Sequence, residues 1–78
     1  MEEQAQAFIA GLGGNENVTF VEACITRMRV EVDDTSLVDD MALREAGAYG
    51  VVLQKNVVQI IVGPIVDDLV AAIESERS

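Results

Sequence analysis

Apolar residues at Ala5, Phe8, Ile9 and Leu12 follow the i, i+3, i+4, i+7 spacing of one helical stripe. That spacing predicts a helix over Glu2 to Leu12, with Gly13-Gly14 as its stop. The pattern then changes period. Val18 to Ala23 alternates, with Val18 and Phe20 expected on one side and Thr19, Val21 and Ala23 on the other. A second strand follows, in which Met28, Val30 and Val32 alternate with Arg27, Arg29 and Glu31. Asp33-Asp34-Thr35-Ser36 reads as a turn, and Asp39 or Asp40 can cap a short helix bearing Met41, Leu43 and Arg44 before Gly47 ends it. Gly50 to Leu53 and Val57 to Val62 are β-branched runs joined by Lys55-Asn56, the outline of a hairpin. Pro64 sits just inside a last helix, whose stripe is Val66, Leu69, Val70 and Ile73 and whose first turn carries Asp67 and Asp68. The predicted order is α-β-β-α-β-β-α. It describes an α+β sandwich, a four-stranded antiparallel sheet with three helices on one face.

With 78 residues the chain has room for a single domain, 1–78, and a small core. Half of the residues are hydrophobic, which argues against disorder. Fourteen acidic residues against five basic ones give a net charge of -9, which repels phosphate backbones and anionic lipid. With aromatics at 4% and no Trp, no base-stacking platform can be built, so nucleic acid is excluded as a partner. Histidine is absent, which removes the Ser-His and Cys-His dyads and the commonest metal ligand. A lone cysteine can form neither an internal disulfide nor a thiolate cage, and neither a metal nor a cofactor is expected. Met1-Glu2-Glu3-Gln4 has no basic n-region, and no apolar run reaches the roughly 20 residues of a membrane span. The chain reads as soluble and cytosolic, and as a monomer in isolation.

Candidate chemistry concentrates in Cys24-Ile25-Thr26-Arg27-Met28-Arg29. Cys24 ends the first strand, Ile25 and Thr26 connect, and Arg27 opens the second. Strand periodicity puts Arg27 and Arg29 on one face, and guanidinium groups beside a thiol favour its thiolate. Amides of the tight turn and the Thr26 hydroxyl could line a small anion-binding concavity. Against this stands a plainer reading. A lone cysteine is often a small buried hydrophobe, and strand arginines often pair with carboxylates such as Glu31. The distribution of charge favours the first reading, since two of only five basic residues flank the only thiol. They also make the local potential at Cys24 positive in an otherwise negative field. The loop of cysteine phosphatases would place its arginine at Val30, one position beyond Arg29, so that reading fails on spacing. No second thiol supports redox catalysis, and no glycine-rich nucleotide loop is present.

The same residues resemble the Cys-Ile-Thr-Arg-Leu-Arg signature of IIB domains of the glucose-type sugar phosphotransferase system. Three further blocks occur in that family's order: Gly13-Gly14-Asn15-Glu16-Asn17, Gly47-Ala48-Tyr49-Gly50-Val51 and Val58-Gln59-Ile60-Ile61-Val62-Gly63. Ile25 after the cysteine favours the glucose and N-acetylglucosamine branch over the β-glucoside branch. The resemblance implies a phosphoryl carrier with Cys24 as acceptor, loaded from a histidine of a phosphorylated IIA protein and discharged to a sugar in a membrane-embedded IIC transporter. It implies that Arg27 and Arg29 neutralise the phosphoryl oxygens, that the amides of Ile25, Thr26 and Arg27 cradle them, and that Gln59 supports the site. It also implies a cytoplasmic location at the inner face of the plasma membrane, through IIC. Met28 replaces the usual Leu, a volume-conserving change. The competing reading is an acidic, non-catalytic α+β adaptor whose cysteine is buried.

Overall fold

In the computed structural model, which describes residues 1–77, the helices are α1 (Glu2–Gly11), α2 (Asp40–Ala46) and α3 (Val66–Arg77). The strands are β1 (Val18–Cys24), β2 (Arg27–Val32), β3 (Gly50–Gln54) and β4 (Val57–Ile61), and 3₁₀ turns cover Asn15–Asn17, Thr35–Leu37 and Gly63–Ile65. The strands form one antiparallel sheet in the order β1-β2-β4-β3. The α+β order read from the sequence is the observed one.

The three helices cover a single face. Met28 and Val30 of β2, Val58 and Ile60 of β4, Phe8 of α1 with Leu12 just after it, and Leu69 and Ile73 of α3 are all fully buried together. Register assigns the other face its residues: Glu22 and Cys24 stand opposite Arg29 and Arg27, and these stand opposite Gln59 and Ile61. The alternation of β2 therefore separates the molecule into a core side and a polar side.

The alternation expected for β1 does not hold. Val18 pairs with Val32 and Phe20 with Glu31, so Thr19 is an extra residue in the ladder, a β-bulge. The bulge resets the period. Val18 and Val21 both reach the core, while Phe20 turns to the polar face, 43% exposed. The Thr19 hydroxyl donates to the Glu31 carbonyl across the irregularity, at 3.1 Å.

Helix α1 ends in a Schellman motif: the Gly13 amide donates to Ala10 and the Gly14 amide to Ile9, with Gly13 at φ +100°. A side chain at Gly13 would also meet the Asn17 amide nitrogen at 2.7 Å. Among the described residues Asn17 is the one buried polar residue, 5% exposed. Its Nδ2 donates to the carbonyls of Leu12 (2.7 Å) and Asp34 (2.9 Å), and its Oδ1 accepts from the Asp34 amide (2.8 Å). One side chain thus ties the end of α1 to the segment leaving β2. Beyond it, Ser36 donates from its amide and its hydroxyl to the Asp34 carboxylate, which holds that carboxyl below its ordinary value. These bonds are retained at neutral pH and are lost as the pH falls through the lowered value.

Of the two aspartates that could cap α2, Asp39 does so, its carboxylate accepting from the Ala42 amide at 3.1 Å. Asp40 instead pairs with Arg44 one turn on. At the far end of α3, Arg77 donates to the Val18 carbonyl at 2.9 Å.

Replacing Asn17 with Ala strips the buried Leu12 carbonyl and the Asp34 amide of the partner each has here, while the Asp34 carbonyl keeps the Leu37 amide. We expect Asn17→Ala to cost about 2–3 kcal/mol in urea denaturation. A change within about 0.5 kcal/mol would mean that water replaces these bonds without penalty.

Candidate functional site

The polar face converges on the β1–β2 turn. Cys24 and Arg27 are paired residues at the mouth of a two-residue loop, Ile25-Thr26, so their side chains leave the sheet on the same side. Arg29 follows two residues along β2, diagonal to Cys24. The thiol is free and exposed. A buried structural cysteine, on which the adaptor reading rested, is therefore ruled out by position: Cys24 belongs to the face that no helix covers.

The turn is strained. Ile25 has φ +60°, a region that β-branched side chains avoid, and its side chain is 88% exposed. Neither its backbone nor its packing explains the choice of isoleucine. The turn is held from the far side by the Thr26 carbonyl, which accepts from the amides of Val62 (3.0 Å) and Gly63 (2.9 Å). The end of β4 thereby grips the tip of the β1–β2 hairpin. The Ile25 and Thr26 amides lie in the loop, outside the paired residues of the sheet.

The two arginines are held differently. Arg27 donates from Nη1 to Gln59 Oε1 at 2.9 Å, a neutral partner one strand away. Arg29 donates to Glu31 Oε2 at 3.1 Å and lies 3.6 Å from Glu22 Oε1. Arg44 and Arg77 pair with Asp40 and Glu74. Among the described residues Arg27 is thus the one arginine without a carboxylate at ion-pair distance.

The structure brings Cys24, Arg27, Arg29, Ile25, Thr26 and Gln59 to one corner of one face. The simple positive potential expected there is corrected: Glu22 and Glu31 both gather on Arg29 and bring the charges of this face to zero, while Arg27 has no carboxylate at ion-pair distance. The contribution of Glu22 was missed from the sequence. Counting the register outward from the turn would have found it, since pairing 24 with 27 sets 22 against 29. The strain at Ile25 and the grip on the Thr26 carbonyl had no signal in residue type.

An α+β sheet that presents a thiol and guanidinium groups at one exposed hairpin is an arrangement suited to handling a phosphoryl group. Comparison with known proteins agrees. The family model described as phosphotransferase system, EIIB, matches residues 6–39, which contain Cys24 and both arginines. The chain belongs to the EIIB family of the phosphotransferase system, as its likeness to a whole EIIB component makes plain. It is 45% identical over 95% of its length to the N-acetylglucosamine-specific EIIB component of Streptomyces coelicolor, covering 96% of that protein. It is 44% identical over 81% of its length to the N-acetylglucosamine-specific EIICBA component of Klebsiella pneumoniae, of which it spans 10%. It is also 48% identical over 76% of its length to the corresponding EIICB component of Bacillus subtilis, of which it spans 13%. Among solved structures, one domain of a IIabc component of Clostridium difficile superimposes with a TM-score of 0.81 at 28% identity, covering 94% of this chain and 78% of that one. No helix among the described residues is long and apolar enough to cross a membrane.

Left-handed backbone at an exposed isoleucine gives a direct test of strain. Ile25→Gly loses no buried contact and relieves the positive φ, a gain partly offset by the greater freedom of glycine when unfolded. We expect a net stabilisation of roughly 1 kcal/mol by urea denaturation. A loss of stability would mean that the turn is unstrained with isoleucine.

Proposed function

We propose that this chain, as a single domain over 1–78, is a phosphoryl carrier in which Cys24 accepts the group from a IIA histidine and delivers it to a sugar in a IIC transporter. The sugar we assign is N-acetylglucosamine, named in the relatives from Streptomyces, Klebsiella and Bacillus. The relatives that join EIIB with EIIC support work in the cytoplasm, at the membrane that holds the transporter.

In loading, the Cys24 thiolate attacks the phosphorus of the donor phosphohistidine. An S–P bond forms, the N–P bond breaks, and its electron pair returns to the imidazole. In discharge, a sugar hydroxyl attacks the same phosphorus and the S–P pair returns to sulfur as thiolate. The hydroxyl proton leaves to a base outside this chain, which has no histidine of its own. Sulfur suits both steps, being a strong nucleophile and a good leaving group.

The observation that carries this reading is that Arg27, an arginine with no carboxylate at ion-pair distance, is the register partner of an exposed cysteine on the same face. Phosphoryl transfer is catalysed chiefly by positioning and by neutralising the equatorial oxygens. Gln59 leaves the Arg27 charge intact while fixing its direction, which makes Gln59 a positioning residue. Arg29 supplies a second guanidinium, and the turn amides of Ile25 and Thr26, with that of Arg27, complete the cradle. The strained, exposed Ile25 supports a docking role, as an apolar tip beside the thiol that the donor covers. A carrier must release its partners, so the interface is expected to stay below about 1,200 Å².

Incubation with phosphoenolpyruvate and the general phosphotransfer proteins, followed by intact mass, tests the acceptor. We expect one phosphate on the wild-type chain and none on Cys24→Ser, which folds normally. Phosphate passing through the serine variant to sugar would remove Cys24 from the role.

The arginines separate the two steps. Arg27→Lys keeps the charge and loses the planar fork. Sugar phosphorylation by Arg27→Lys is expected to fall on the order of 10³-fold, with loading much less affected because the donor contributes groups of its own. Arg29→Lys should follow the same order. Near wild-type sugar transfer in both variants would contradict the assignment.

A further inference from the structure

Two carboxylates converge on one of the two arginines at this site, and none on the other. Arg29 is held by Glu31 at 3.1 Å and by Glu22 at 3.6 Å, whereas Arg27 rests on the neutral oxygen of Gln59. All of these residues share the helix-free face with Cys24, as the register of β1, β2 and β4 requires. Their distances from the thiol differ. Glu22 precedes Cys24 by two positions on one face of β1, about 7 Å along the strand. Glu31 lies four residues beyond Arg27 on β2, about 13 Å from the register position of Cys24. Arg29 lies between them, diagonal to Cys24 at about 7–8 Å between backbones, within reach of a long side chain.

We propose that Glu31 and Glu22 are positioning residues that hold Arg29 in reserve and compete with a phosphoryl group on Cys24 for its guanidinium. The inference rests on Cys24 being the phosphoacceptor. With the thiol empty, the four charged side chains on this face sum to zero, two arginines against two glutamates. A phosphoryl group adds about -1.5 to -2 charges beside Arg27 and Arg29. The arginine and both carboxylates are each more than a third exposed, so their ion pairs are weak enough to exchange. Arg29 therefore turns to the phosphoryl oxygens when they arrive and returns to the glutamates when they leave. The competition limits how far the phosphorylated state is stabilised. A carrier needs that limit, because an over-stabilised S–P intermediate would be loaded readily and discharged slowly.

Glu31 isolates this effect, since at its distance it senses the phosphoryl group chiefly through Arg29. The measurement is the equilibrium distribution of phosphate between a phosphorylated IIA protein and this chain, read by intact mass at fixed donor ratio and low salt. Glu31→Gln is expected to shift it toward the phosphorylated chain by about two- to fivefold. In an Arg29→Gln background the same substitution is expected to produce no further shift. Glu22→Gln is expected to shift the equilibrium in the same direction and further, as it also removes direct repulsion. A purely structural role for the glutamates would change the urea midpoint and leave the phosphoryl equilibrium where it was. An unchanged equilibrium in Glu31→Gln, or an equal shift with and without Arg29, would overturn this inference while leaving Cys24 as acceptor. A wild-type chain that takes up no phosphate would overturn both.

Discussion

Two amides converging on the Thr26 carbonyl fix the geometry on which the site depends. A two-residue hairpin tip is ordinarily the most mobile part of a sheet, fastened only by the strands below it. Here the tip is also fastened from the side, by the backbone of Val62 and Gly63 where β4 gives way to α3. That grip over-determines the turn, which is what allows a β-branched residue to persist at positive φ. It also places the sulfur of Cys24 on the same rigid body as Arg27 and, through β4, as Gln59. The elements that orient the thiol and its cation are consecutive strands of one sheet, so their spacing cannot drift independently.

The sheet carries out two tasks by its two faces. One face is a continuous apolar layer sealed by three helices, and the fold's stability lies there. The other face has little to contribute to stability, since its ion pairs are exposed and worth at most about 1 kcal/mol each. Residues there are free to be chosen for what they do to a charge. Gln59 is informative in this respect. A carboxylate at that position would hold Arg27 more firmly and also cancel it, whereas an amide oxygen orients the guanidinium and leaves its charge for another anion.

Much of this was legible in the sequence, for identifiable reasons. The elements follow from period alone, because β2 and β4 are central strands with one buried face and α1 and α3 each bury one stripe. The site was legible because a chain with so few cations placed two beside its only thiol. What escaped was whatever depends on a count across strands or on a backbone angle. Thr19 has a residue type at home in any strand, so nothing distinguished it as a bulge, and Phe20 was assigned to the wrong face. Glu22 was not identified as a partner of Arg29, since pairing emerges only with register. Asn17 entered only as the last residue of the Gly13-Gly14-Asn15-Glu16-Asn17 block, although its side chain joins two segments of the fold.

The contact between Arg77 and the Val18 carbonyl bears on a hazard of open sheets. β1 is an edge strand, and edge strands present unpaired backbone groups that can template a second chain. The bulge at Thr19 interrupts the regular spacing of those groups, and Arg77 occupies one of the carbonyls with a charged side chain. An incoming strand would meet a broken register and would have to displace a guanidinium to add itself. The last turn of α3 thus obstructs strand addition along the β1 edge of the sheet.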